Sequence, residues 1–216
     1  QTCVSPDYVL VHASVEKQLK EKLIFYIKEF YGNNPAASKD YARIINTRQF
    51  DRLQAYLKDV QVIYGAEVDR EQKYIQPSLV ENITLDHPLM QEEIFGPILP
   101  ILVYNTREEL MEMLSHNPNP LSAYIFSNDS QFEKFLLDSF LSGGVCINNV
   151  MVHLANPNLP FGGVSKSGMG AYHGKYSFDV FTHQRAVLKT STWIDIPLRY
   201  PPFSTIKMKL SKLFFK

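Results

Sequence analysis

Ile98-Leu99-Pro100-Ile101-Leu102-Val103 opens the stretch that decides the fold. It is a short apolar run with a proline inside, read as a buried strand. Thr106-Arg107-Glu108-Glu109 follows as a capping box, so a helix is expected to about His116. Asn117-Pro118-Asn119-Pro120 turns the chain, and Leu121 to Phe126 is a second strand. Ser130-Gln131-Phe132-Glu133 is another capping box, opening a helix that Gly143-Gly144 stops. Val145 to Val150 is a third strand and carries Cys146. Strand, helix, strand, helix, strand predicts an α/β fold: a mostly parallel sheet flanked by helices. Crossovers are then right-handed, and ligands bind at the carboxyl ends of strands.

Upstream, Tyr8 to His12 reads as a buried strand, with Ser14 as cap of the next helix. That helix places Leu19, Leu23, Tyr26, Ile27 and Phe30 on one face and ends at Gly32. A second helix after Thr47 buries Phe50, Leu53 and Leu57. Val60 to Tyr64 and Tyr74 to Val80 are strand candidates, and Pro77 puts the latter at an edge or in irregular structure. Downstream of Val150, prolines and glycines crowd a long loop, and loops of that length in compact proteins are usually functional. Val180 to Lys189 reads as a strand, an arm that adds to another sheet. Residues 204–216 form a basic amphipathic helix with Ile206, Leu210, Leu213 and Phe214 on one face. The organisation expected is βα units over 1–150, a site loop and bridging strand over 151–190, and a basic tail over 191–216.

The 22 basic and 22 acidic residues cancel, which leaves no overall electrostatic footprint for nucleic acid. The cysteines, Cys3 and Cys146, make no disulfide framework, so free thiols in a reducing compartment are expected. His153 and His173 have no second histidine or acid at ligand spacing, so no metal site is expected. Gly168-Met169-Gly170 with Gly174 lacks phosphate-loop spacing.

Cys3 alone carries little information, because a single cysteine is most often a small buried hydrophobe; Cys146, between Val145 and Ile147, is read that way. Glu92-Glu93-Ile94-Phe95-Gly96-Pro97 sets an acidic pair and an aromatic before a strand. It reads either as a solvated turn or as a carboxylate accepting ribose hydroxyls beside an aromatic edge. A cysteine hydrolase would need a histidine near Cys3, and His12 falls at the far end of its strand.

Together these pieces resemble the aldehyde dehydrogenase superfamily. The matching segments are Gln1-Thr2-Cys3, Gln91 to Pro97, Ser142 to Asn148 and Leu159 to Gly168, in that order, over almost the whole chain to about Lys189. Val4-Ser5-Pro6-Asp7-Tyr8 and Gly168 to Gly174 look like the class 3 branch, which includes the fatty aldehyde enzymes. The resemblance implies Cys3 as nucleophile, forming a thiohemiacetal and then a thioester, with NAD or NADP taking the hydride. It implies that the Cys3 N–H is one oxyanion donor, that Glu93 and Phe95 hold the cofactor, that Asn148 stands near the site and that Phe161 lines the aldehyde tunnel. The family's dinucleotide-binding domain, general-base glutamate and second oxyanion donor lie upstream of its nucleophile. The chain is therefore read as a C-terminal fragment, inactive alone, of an enzyme oxidising medium- or long-chain aldehydes. The alternative is an inactive oligomerisation or binding module acting through Val180 to Lys189. A homodimer and a cytoplasmic location are implied, with peripheral contact of 203–216 with an intracellular membrane at its endoplasmic reticulum face.

Overall fold

A computed structural model describes residues 1–214. In chain order the elements are β1 (Val9–His12), α1 (Glu16–Tyr31), α2 (Thr47–Tyr56), β2 (Gln61–Tyr64), β3 (Val68–Asp69), β4 (Tyr74–Ile75) and β5 (Ser78–Glu81). They continue with β6 (Ile98–Tyr104), α3 (Arg107–His116), β7 (Ser122–Ile125), α4 (Ser130–Ser139), β8 (Gly144–Ile147), α5 (Gly174–Phe181) and α6 (Thr205–Phe214). The chain forms two units, Gln1–Phe181 and Thr182–Lys216.

In the first unit a four-stranded sheet runs β1-β6-β5-β2. β1 and β5 lie parallel to β6, and β2 closes the edge antiparallel to β5. β7 and β8 form a separate parallel pair, and β3–β4 a small antiparallel one. The α/β fold and mostly parallel sheet expected from the sequence are present. The βαβαβ run is there too, but β6 belongs to the first sheet and β7 to the second.

Side-chain alternation along β5 and β6 explains why both faces are covered. Val80 and Ile98 face α2 and pack with Phe50, Leu53, Leu89 and Ile94. Leu79 and Ile101 face the other way, with Val11 and the α1 residues Leu19, Leu23, Ile24 and Ile27. A third cluster, Leu110, Ile125 and Leu136, joins α3, β7 and α4. Phe50 and Leu53 are wholly buried, so truncating either to alanine costs about 3–5 kcal/mol.

Several local expectations are corrected. Pro77 stands in the gap between β4 and β5, which leaves β5 free to be an interior strand between β6 and β2. Pro100 lies within β6, and the ladder to β1 starts at the next residue, Ile101. Ser14 is not the cap of α1: His12 caps a 3₁₀ turn over Ala13–Val15, and its ring accepts the Ser14 N–H. Asp129, one residue before the expected box, caps α4 by accepting from Gln131 and Phe132. Tyr26 and Phe30 are exposed, and Ile24, partly buried, packs against the sheet instead. Val180 and Phe181 end α5, so the strand expected over Val180 to Lys189 does not begin there, and 183–189 has no regular structure. A strand needs a ladder, and among the described residues none pairs with this one.

The loop after β8 packs by backbone against backbone. A Cβ on Gly143 would lie 2.2 Å from the Gly162 carbonyl oxygen, and one on Gly162 2.1 Å from that of Gly170. Phe161 and Tyr172 exchange backbone hydrogen bonds of 3.0 and 2.9 Å across this loop.

In the second unit, 183–190 lacks regular structure, Pro197–Arg199 makes a 3₁₀ turn, and α6 follows. Ile206, Met208, Leu210 and Leu213 are exposed on α6. No helix among the described residues is long and apolar enough to cross a membrane. Phe214, expected on the apolar face, lies where side chains are not described, and Phe215 and Lys216 fall outside the described residues.

Candidate active site

Cys3 sits on a tight turn. The Ser5 N–H donates to the Thr2 carbonyl at 3.0 Å, which leaves Cys3 and Val4 as the central residues. Cys3 is exposed, whereas Val4 is buried at 1 %. The flanks are tied down. The Gln1 side chain donates to the Arg43 carbonyl and accepts from the Ile45 N–H, each at 3.0 Å. Asp7 accepts from the Ile94 N–H at 3.0 Å, joining the thiol segment to the Glu93–Phe95 turn. The Val4 carbonyl accepts from the Tyr124 hydroxyl.

The Glu92–Pro97 turn is held from α2. The Arg52 guanidinium donates to the Ile94 carbonyl at 2.6 Å, to the Glu93 carbonyl at 3.3 Å and to Glu92 Oε1 at 3.2 Å. Glu92 also accepts from the Tyr56 hydroxyl, and this bond, with Arg52, holds its carboxyl below the ordinary range. The two acids therefore differ. Glu92 braces the turn, whereas the Glu93 carboxyl is pushed up by partial burial and then by the neighbouring Asp7 carboxylate. Phe95 takes a left-handed backbone conformation at φ 53° and is half-exposed, while Ile94 anchors the turn in the core. Thr2, Asp7, Arg43, Glu93 and Phe95 line a common cleft of about 170 Å³. Cys3 itself does not line this cleft; Thr2 and Ser5 on either side of its turn do, so the thiol segment borders the wall that carries Glu93 and Phe95.

Asn148 and Phe161 are held by their own local contacts. The Asn148 side chain closes a two-way bond with Ser127, accepting from its N–H at 2.9 Å and donating to its carbonyl at 2.8 Å. It holds the ends of β7 and β8 together. Phe161 is 8 % exposed, its ring packed among His153, Tyr172 and His173, and it anchors the glycine loop. Cys146 is buried, as its neighbours suggested, but it is more than a small hydrophobe. Its Sγ lies 3.1 Å from His153 Nδ1, while His153 Nε2 lies 3.1 Å from Ser122 Oγ. Burial holds the His153 imidazole below its ordinary value. His12 is engaged by Ser14 at 2.8 Å and packs edge-on to Tyr104.

Sequence reasoning missed Asp7, Arg52, Tyr124 and the Cys146–His153 pair. Their partners lie on other elements, and no spacing rule links them. The one local signal is a histidine seven residues after a strand cysteine, a spacing that matches no metal-ligand pattern.

A comparison with family profiles matches residues 1–187 to the Aldehyde dehydrogenase family. The chain belongs to that family. It is 46 % identical to the 4,4'-diaponeurosporen-aldehyde dehydrogenase of Staphylococcus aureus, over 100 % of this chain and 47 % of that protein. It is 45 % identical to aldehyde dehydrogenase family 3 member A2 of Mus musculus, over 99 % of this chain and 45 % of that one. A solved structure of Staphylococcus aureus AldH in a substrate-bound state aligns with a TM-score of 0.91 at 45 % identity, covering all of this chain and 47 % of its own. The chain thus spans about half the length of the curated relatives it matches.

Aldehyde dehydrogenases use NAD(P)+, and the cleft lined by Thr2, Glu93 and Phe95 has side chains whose chemistry suits part of such a group. Glu93 offers an accessible carboxylate to hydroxyl donors, Phe95 an apolar edge, and the floor is fixed by Arg52 and Ile94. Two vicinal ribose hydroxyls need an acceptor of this kind.

Proposed function

We propose that this chain forms the nucleophile-bearing part of an NAD(P)-dependent aldehyde dehydrogenase. The observation that carries the reading is the tethered turn. It leaves Cys3 exposed while Gln1 and Asp7 fix it against the wall that holds Glu93 and Phe95. A thiolate is a strong nucleophile, and its acyl adduct remains labile to water, which suits a two-step oxidation. Cys3 Sγ attacks the aldehyde carbon, forming a C–S bond and moving the carbonyl electrons onto oxygen. The Cys3 N–H donates to that oxyanion. Glu93 and Phe95 hold the nicotinamide riboside end of the dinucleotide, which when bound supplies the hydride acceptor. Loss of hydride from the same carbon leaves a thioester on Sγ, and water releases the acid.

The base for that water, the second oxyanion donor and most of the dinucleotide site are assigned to the half of the relatives that this chain does not span. We propose medium- or long-chain apolar aldehydes as substrates, supported by the activity in the name of the staphylococcal relative. A homodimer is proposed, as in the name of the rat "Aldehyde dehydrogenase, dimeric NADP-preferring", 43 % identical. The two free thiols support a cytoplasmic location, and the lysines and exposed apolar residues of α6 support contact with an intracellular membrane.

The test uses the protein expressed from its whole gene, with whatever precedes Gln1. It should reduce NAD(P)+ with decanal or hexadecanal, and the isolated 216-residue chain should not. Robust cofactor reduction by the isolated chain overturns the division of labour proposed here. Failure of the whole protein overturns the activity.

A further inference from the structure

Among the described residues, no side-chain hydrogen bond or ion pair anchors Cys3 itself. It is exposed on its turn, and the direction of its Sγ and backbone N–H follows from where Val4 is held. Val4 is fixed twice. Its side chain is buried at 1 %, and its carbonyl accepts from the Tyr124 hydroxyl, contributed by β7 from 120 residues away. Tyr124 is itself braced. Its ring meets His153 edge-on, with centroids 6.1 Å apart, and His153 is buried. His153 is pinned on both ring nitrogens, by Cys146 Sγ and Ser122 Oγ at 3.1 Å each, and backed by the Phe161 ring. The phenol is half-buried and pushed above its ordinary pKa, first by that burial, so it stays a proton donor to the Val4 carbonyl. A chain of fixed groups therefore runs from the β7–β8 pair to the peptide after the nucleophile.

We infer that Tyr124 is the positioning residue of the nucleophile turn: its hydroxyl holds the Val4 carbonyl, and so sets how Cys3 presents its thiol and its oxyanion-binding N–H. The inference rests on the reading of Cys3 as nucleophile and adds a residue from the β7–β8 pair to that site. Tyr124 does not touch the reacting atoms in this scheme. Its contribution is geometric, and misplacing a reacting group by about 1 Å costs up to about 10²-fold in rate.

The test is Tyr124→Phe in the protein expressed from its whole gene, beside Cys3→Ser. Tyr124→Phe keeps the ring and its contact with His153 and removes the hydroxyl, which faces Ser122 and the Met151 backbone as well as the Val4 carbonyl. Single-turnover hydride transfer should slow by about tenfold or more, with aldehyde KM changed less than about twofold because uniform binding is untouched. Alkylation of Cys3 by iodoacetamide should change its rate in the same variant while the melting temperature stays close to the parent's. Parental rates of hydride transfer and alkylation in Tyr124→Phe overturn the inference. So does a loss accounted for entirely by a smaller fraction of active sites with an unchanged rate per site. If Cys3→Ser still turns over, the nucleophile assignment itself falls. If Cys3→Ser is dead and Tyr124→Phe behaves as parent, only the role of Tyr124 falls.

Discussion

The molecule carries two thiols in opposite settings. Cys3 is exposed on a turn whose flanks are tied to three other segments. Cys146 is buried in β8 with its sulfur against an imidazole. By side-chain neighbours alone, Cys146 has the richer environment, with His153 against its sulfur and Ser122 beyond it. Solvent access reverses that ranking. A nucleophile must meet its substrate, and the β7–β8 pair encloses Cys146 behind Phe161 and the glycine loop. A histidine beside a cysteine is a reactive arrangement only when a substrate can arrive. Otherwise it is a buried hydrogen bond.

The strongest way to break this contrast is to exchange the roles by mutation. Cys3→Ser should lower aldehyde oxidation by on the order of 10³-fold or more, as removal of a covalent nucleophile does elsewhere, measured as steady-state cofactor reduction by the whole protein. Cys146→Ala should instead act on stability. It leaves the buried His153 Nδ1 without its partner and should cost about 1–3 kcal/mol, read as a lower urea midpoint, with a far smaller effect on turnover than Cys3→Ser. If Cys146→Ala proves the more damaging to turnover per folded molecule, the contrast is wrong.

A finer test separates the acids beside Cys3. Glu93→Gln keeps an acceptor but loses its charge, so cofactor binding or hydride transfer should weaken about tenfold, the difference between charged and neutral hydrogen bonds. Glu92→Gln should leave both nearly unchanged, since Glu92 only braces Arg52 and Tyr56. Equal effects would remove the distinction between the two.

The smallest effect is in pH dependence. Burial depresses the folded His153 below its ordinary 6.5. Between that value and the lower folded one, the unfolded chain binds a proton that the folded chain refuses. Stability from this site is therefore fully present above about pH 6.5 and is lost as pH falls through the folded value. His153→Gln should flatten that part of the stability curve in urea titrations from pH 7.5 to 5.0. An unchanged slope would assign the effect to other groups.

Much of this architecture is legible in the sequence because it is local. The apolar run Ile98 to Val103 and the box Thr106 to Glu109 specify β6 and α3 without outside help, and Thr106 accepts from Glu109 as expected. The places of Cys3, Glu93 and Phe95 came from motif order, and the fold brings their segments to one cleft. What stayed hidden depends on partners distant in sequence. Pro77 suggested an edge, yet β5 is interior because the proline falls just before its ladder begins. Val180 to Lys189 has the composition of a strand but no ladder among the described residues, and composition alone cannot supply one. The local role of Asn148 was equally hidden: its amide fits the backbone of Ser127, 21 residues away, on both sides.

The glycine contacts of the loop after β8 bear on how this segment can vary. At Gly143 and Gly162 the obstacle to a larger residue is a main-chain oxygen, not the tip of a flexible side chain. A neighbouring substitution cannot make room, because every residue type carries the same carbonyl. The loop is accordingly fitted beside β8 as an inlay, its shape set by main-chain contacts and its place by the Phe161 anchor. Between Gly143 and Gly170 the freedom to evolve lies in the residues that point outward, such as Met169, which is 97 % exposed.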